Sequence, residues 1–190
     1  MENTINEYLP KKAVIERIIE ESADTKTFTL KLKEGIRYKP GQFLMVSLPG
    51  YGEAPFTFAS APSKDGRFQV SVRQVGSLTA ALHNLKEKDI VGVRGPYGNW
   101  LPLDKIKGKD LLFIAGGCGI APLRSLIQYV FARRKDYGRI EVIYGCRRPK
   151  DIFYKEEIKA WEENEDSKVH LTVDEPDETW GGTCGVVCVL

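Results

Sequence analysis

The sequence predicts two successive folds, an antiparallel β-barrel and then a parallel α/β unit. Three observations carry this. Short runs that alternate apolar and polar residues, separated by turn residues, fill the first half of the chain. Beyond about residue 104 the pattern changes to continuous apolar runs that alternate with helical segments. A glycine-rich turn lies where the first of these apolar runs meets a helix.

Composition sets the outer bounds. With 190 residues, the chain has room for one large core or two smaller ones. A hydrophobic fraction of 42% argues against disorder. No apolar run is long enough to span a bilayer. No charged segment followed by an apolar one opens the chain, so the cytoplasm is the expected location and no membrane contact is expected. The 28 basic and 26 acidic residues leave a net charge of +2, which gives no electrostatic reason to expect nucleic acid. Four cysteines, Cys118, Cys146, Cys184 and Cys188, do not make a disulfide framework without a secretion signal. A metal site needs about four ligands, and His83 and His170 lie in unrelated segments. Free thiols are the expectation, and no metal site is assigned.

The elements follow in order. Residues 13–19 alternate in part and residues 25–33 (TKTFTLKLK) alternate strictly. Residues 42–48 form a compact apolar run after the Pro40-Gly41 turn, residues 56–60 a short aromatic one. Residues 68–75 alternate again, and residues 89–94 complete the set. Gly35, Pro49-Gly50, Pro62-Ser63 and Asp65-Gly66 punctuate them. One short helix is predicted over 77–85, where Leu78, Ala81, Leu82 and Leu85 share a face. Residues 110–115 (DLLFIA) then read as a strand buried on both faces. A helix over 122–134, a strand over 140–144, a helix over 154–163 and a strand over 169–173 follow. A fourth apolar run begins at Gly185. Strands alternating with helices imply right-handed crossovers and a parallel sheet. The polar stretch 104–109 divides the chain into domains at 1–104 and 105–190. A sheet of this kind has about five or six strands, so the second domain is expected to be truncated.

Three motifs carry candidate chemistry. The run IAGGCGIAP at 114–122 follows a strand and opens a helix. Glycines there let backbone amides face a ligand, and the helix start adds partial positive charge, which suits a pyrophosphate. Pro122 fits a first helical turn. The spacing is not the G-x-G-x-x-G fingerprint, and a plain tight turn is the competing explanation. The run GSLT at 76–79 also sits at a helix start, where Ser77 or Thr79 could offer a hydroxyl to phosphate. Ser77 as an ordinary N-cap is the competing explanation, and on this motif alone the better one. In EAPFTFAS at 53–60, an aromatic and a hydroxyl at a strand end could cover a flat ring, but from local chemistry alone core aromatics are the better explanation. Together, two phosphate-type turns in two domains suggest two dinucleotide-like ligands meeting at a domain junction.

In combination these stretches resemble the ferredoxin–NADP reductase superfamily, in particular its sulfhydrogenase gamma, anaerobic sulfite reductase B and dihydroorotate dehydrogenase electron-transfer subunits. The resemblance is carried by KPGQF at 39–43, GEAPFT at 52–57, VRQVGSLT at 72–79, ALHNL at 81–85, GPYG at 95–98, GGCGIAPLRSLI at 116–127, YGCR at 144–147 and WGG at 180–182. It implies a six-stranded Greek-key flavin barrel and an NAD(P)-binding α/β domain. It implies that Pro55, Phe56, Thr57 and Phe58 line the isoalloxazine, with the Thr57 hydroxyl, the one catalytic assignment, near the atom that exchanges hydride. Arg73, Val75, Gly76, Ser77 and Thr79 would hold the ribityl and phosphate groups of FAD, with FMN less favoured. Gly116, Gly117, Cys118, Gly119, Ile120, Ala121 and Pro122 would receive NAD(H) or NADP(H). Tyr144, Gly145, Cys146 and Arg147 would border the adenosine half, with Asp174 at the same edge.

The sequence departs from the family in three places. Ala54 stands where many relatives carry an arginine that pairs with flavin phosphate. The Cys-Gly-Pro strand that approaches the nicotinamide has no counterpart, and neither does the cysteine cluster that binds a 2Fe–2S centre in fuller relatives. The implied activity is electron transfer between NAD(P)H and an iron–sulfur partner, a hydrogenase- or sulfite-reductase-type subunit, through the flavin. The alternatives are a non-catalytic flavin-binding subunit and a purely structural scaffold.

Overall fold

The computed structural model describes residues 8–187. Six antiparallel strands make the first sheet: β1 Lys11–Ser22, β2 Thr25–Leu32, β3 Phe43–Leu48, β4 Gly52–Thr57, β5 Arg67–Arg73 and β6 Ile90–Tyr97. Their spatial order, β4-β3-β6-β1-β2-β5, threads β6 between β1 and β3 in Greek-key fashion. Alternation decides which side chains go inward. In β2, Phe28, Leu30 and Leu32 are buried while Lys26, Thr29 and Lys31 are not. The barrel core gathers Ile15, Phe28, Leu30, Leu44, Phe58, Phe68, Val70 and Val93. β4 and β5 lie at the two ends of this sheet, so the barrel has a seam between them. Helix α1, Ser77–His83, follows β5 and packs Leu78 and Leu82 on the same core.

The second unit is a four-stranded parallel sheet ordered β10-β9-β8-β7 among the described residues. Its strands are β7 Leu111–Gly116, β8 Ile140–Cys146, β9 Ser167–Val173 and β10 Thr183–Cys184. Helix α2, Ile120–Phe131, follows a single 3-10 turn at Gly117–Gly119, and helix α3, Lys155–Glu162, follows β8. Both helices enter one cluster with Phe113, Ala115, Val142 and Tyr144, so both cover the same face. The expectation that β7 is buried on both faces is therefore corrected. Its alternate residues Leu112 and Ile114 are 56% and 54% exposed on the opposite face.

Two further differences concern boundaries. Helix α2 begins at Ile120, two residues ahead of the predicted start, and Pro122 is its third residue. Proline is tolerated there because first-turn amides have no intrahelical acceptor. The last strand is Thr183–Cys184, ahead of the apolar run expected from Gly185. β10 pairs with Thr172 and Val173, and the chain then leaves the sheet so that Val187 lies against Gly145 and Gly116. Residues 188–190, including Cys188, lie outside the described residues. None of the described helices is long and apolar enough to cross a membrane.

Candidate functional site

The site is built at the seam of the barrel and at the carboxyl ends of β7 and β8. On the barrel side, Pro55 is exposed and Thr57 half-buried on the outward face of β4. Phe56 faces inward and packs against the barrel core. Phe58 corrects the sequence expectation: its side chain is fully buried, stacked on Tyr38 at 3.7 Å and edge-on to Phe68 at 5.5 Å. Parity explains this, because Phe56 and Phe58 share the inward face while Pro55 and Thr57 share the outward one.

The turn after β5 holds Val75, Gly76 and Ser77 exposed, Val75 at 77%. Gly76, not Ser77, caps α1, with extended backbone at φ −160°. Thr79 is buried and turns back on the loop. Its Oγ1 accepts the Val75 and Gly76 amides at 2.9 Å each and donates to the Gly76 carbonyl at 3.0 Å. The Thr79 hydroxyl is thus occupied in shaping the turn. Arg73 is exposed and its Nε donates to Asp24 at 2.7 Å. That bond holds the guanidinium above its usual range, with a further contribution from Cys118 of the glycine-rich turn.

On the α/β side, Gly117 takes φ +50°, a conformation that favours glycine, and Cys118 and Gly119 are exposed. Ile120 and Ala121 are buried, so only their backbone borders the turn. Gly76 and Gly119 are informative because nothing within the chain demands glycine there. Neither has a positive φ, and a Cβ at either would meet no atom within 4 Å. A backbone kept bare toward open space at two helix starts fits the close approach of a pyrophosphate. Gly145 behaves differently: it is buried, and a Cβ there would lie 2.6 Å from Val187. Its role in the structure is close packing against Val187 and Thr172.

Arg147 and Arg148 extend beyond β8, and Glu175 accepts from both, at 2.9 and 2.7 Å. These bonds, that from Arg148 first, hold the Glu175 carboxyl below its usual range. The Asp174 amide donates to the Cys146 carbonyl at 3.1 Å, tying the turn after β9 to β8. The Cys146 thiol donates to the Asp151 carbonyl at 3.3 Å, and burial pushes its pKa up to about 11, which makes it a poor nucleophile. Among the described residues no group of three or more His, Cys, Asp or Glu side chains could hold a metal ion.

Sequence reasoning missed Arg124, the cation at the junction between the two units. It is 4% exposed. One signal was available: Arg124 falls on the face of α2 that carries Ile120, Ala121, Ile127 and Val130. A charge on a buried face needs partners.

Known proteins place this geometry. The family model for oxidoreductase FAD-binding domains matches residues 12–101, and that for oxidoreductase NAD-binding domains matches residues 113–188. The chain is 41% identical over 158 residues to the sulfhydrogenase 1 gamma subunit of Pyrococcus furiosus, covering 82% of this chain and 54% of the relative. It is 40% identical over 141 residues to a probable dihydroorotate dehydrogenase B (NAD(+)) electron transfer subunit of Methanocaldococcus jannaschii, covering 74% and 49%. The chain thus spans about half the length of the curated relatives it matches. The solved CS-b5R domains of human Ncb5or, in the NAD+ form, superpose with a TM-score of 0.81 at 20% identity, covering 92% of this chain and 54% of that one. A six-stranded antiparallel barrel, a parallel sheet with its helices and both domain matches agree: the chain belongs to the ferredoxin–NADP reductase superfamily.

Proposed function

We propose that this chain is the electron-transfer part of a flavoprotein oxidoreductase, carrying FAD on the barrel and a nicotinamide dinucleotide on the glycine-rich turn. One observation carries the reading: Gly76 and Gly119, each at the start of a helix and one in each unit, are glycines that the chain's own packing does not require. Bound flavin supplies hydride exchange with a nicotinamide and one-electron exchange with an iron–sulfur centre.

The chain's own residues hold and orient. Pro55 and Thr57 offer an outward surface for a ring, and the Thr57 hydroxyl would be the group available to its edge. The turn at Val75, Gly76 and Ser77 offers backbone amides to the FAD pyrophosphate, and Arg73 adds a cation nearby. Gly116, Gly117, Cys118 and Gly119 offer the second cradle. No side chain is needed as a general acid or base.

We propose NAD(H) over NADP(H), because Glu175 already engages both Arg147 and Arg148, the cations beyond β8 that a 2′-phosphate would need. The relatives are subunits of a sulfhydrogenase and of a dihydroorotate dehydrogenase, which supports a partner subunit; we propose an iron–sulfur partner of the hydrogenase or sulfite-reductase type. The division into domains at 1–104 and 105–190, and residence in the cytoplasm, complete the proposal.

The test is anaerobic mixing of the FAD-loaded protein with NADH and with NADPH. Bleaching of the flavin supports the reading. Bound flavin that stays oxidised supports the binding-only subunit, and protein that takes up no flavin removes the proposal.

A further inference from the structure

We propose that Arg124 is the positioning residue that fixes the distance between the two dinucleotide sites, by joining the barrel seam to helix α2 through one buried guanidinium. On the α/β side, its Nε donates to both carboxylate oxygens of Glu157, at 3.1 and 3.0 Å, and Nη2 donates to the same carboxylate. On the barrel side, Nη1 donates to the Ala59 carbonyl at 2.6 Å and to Gln69 Oε1 at 2.7 Å. The guanidinium lies over the Tyr154 ring, 4.3 Å from its centre.

The position of these partners gives the contact its consequence. Ala59 lies two residues beyond Thr57, at the end of β4, and Gln69 lies in β5. These are the two strands that flank the seam. Arg124 itself stands five residues beyond Gly119. One rigid fork therefore couples the strand proposed to cover the flavin ring to the helix that begins at the dinucleotide turn. Hydride exchange requires reacting atoms about 3–3.5 Å apart, so a small shift at this junction is felt in the rate.

The junction between the barrel and the α/β unit is held at other points too. Tyr154 Oη shares a hydrogen bond with Ser71 Oγ at 2.5 Å, and the Tyr154 amide donates to Glu21 at 2.9 Å. Gln128 accepts the Ala61 amide at 2.8 Å and donates to Glu157 at 2.9 Å. Arg124 reaches both units through all three guanidinium nitrogens, and a lysine cannot reproduce that planar fork.

This inference rests on the dinucleotide sites assigned above, whereas the seam does not. The test uses the full chain with Arg124→Met, and with Arg124→Lys, which keeps a cation beside Glu157. Calorimetry of the dinucleotide-free protein should show one unfolding transition for wild type and two separated ones for the variants. FAD and NADH dissociation constants should stay within about threefold of wild type, while single-turnover flavin reduction by NADH falls at least about tenfold. Variants that keep one transition and the wild-type rate overturn the proposal, as does a rate loss explained wholly by weaker binding. If Arg124→Met does not fold, Arg124→Lys decides on the same readouts. If wild type binds neither dinucleotide, the functional reading fails and calorimetry alone decides the role of Arg124.

Discussion

Replacing Thr79 with valine separates the two hydroxyls of the loop after β5, one structural and one free. Valine has nearly the same shape, so the packing of this 8%-exposed side chain is preserved. The change removes two accepted hydrogen bonds, from the Val75 and Gly76 amides at 2.9 Å, and one donated to the Gly76 carbonyl. Water can reach part of this loop, so the loss is that of a capping interaction, about 1–2 kcal/mol. For a chain of this size that lowers the melting temperature by about 2–8 °C. If the loop must be ordered to receive the FAD pyrophosphate, the same energy appears as about a 5–30-fold rise in the FAD dissociation constant. Ser77→Ala touches an exposed hydroxyl with no such duty and should change neither melting nor FAD affinity beyond about 0.5 kcal/mol. Thermal melts of the dinucleotide-free protein and fluorescence titration of FAD check both. Equal effects of the two substitutions, or an unchanged Thr79→Val protein, would refute the reasoning.

Other predictions follow from the same geometry. Gly119→Ala meets no atom and keeps a helical conformation, so the melting temperature should hold or rise slightly, while NADH affinity falls at least about tenfold as the methyl enters the cradle; parallel melts and titrations decide. Glu175→Gln frees Arg147 and Arg148 from a negative partner and should raise the affinity for NADPH relative to NADH, seen in competitive titrations. Burial raises the Tyr38 and Tyr154 phenols from 10.0 to about 12 and shifts Tyr144 in the same direction. Because the unfolded state then releases these protons first, stability should be full below pH about 10 and fall as pH climbs toward 12. The near-ultraviolet phenolate signal should correspondingly lag in the folded protein.

Much of the barrel was legible because alternation is a local property. The run from Thr25 to Leu32 already separates Phe28, Leu30 and Leu32 from Lys26 and Lys31, and the fold keeps that separation. The glycine-rich turn was legible for a similar reason, since strand, turn and helix are consecutive in the chain. What escaped depends on partners far away. Nothing beside Arg124 announces Ala59 or Gln69, which lie 65 and 55 residues earlier. Thr79 and Ser77 are both plausible caps by residue type. The choice was made by Gly76, whose extended backbone takes the cap position and moves Ser77 into the helix. The apolar run in β7 promised burial on both faces, but a sheet face is covered only where a helix returns to it. Both described helices return to the same side.

That one-sided cover bears on how the protein must be handled. Leu112 and Ile114 stand in water on a strand that is at the edge of the described sheet, with Ile143 in register beside them. Bare aliphatic groups next to unpaired main-chain donors and acceptors are the usual starting point for edge-to-edge sticking. Every titration outlined above therefore belongs at low protein concentration, with light scattering recorded alongside. Replacing either aliphatic with threonine is the simplest way to keep samples dispersed without touching the helices behind them.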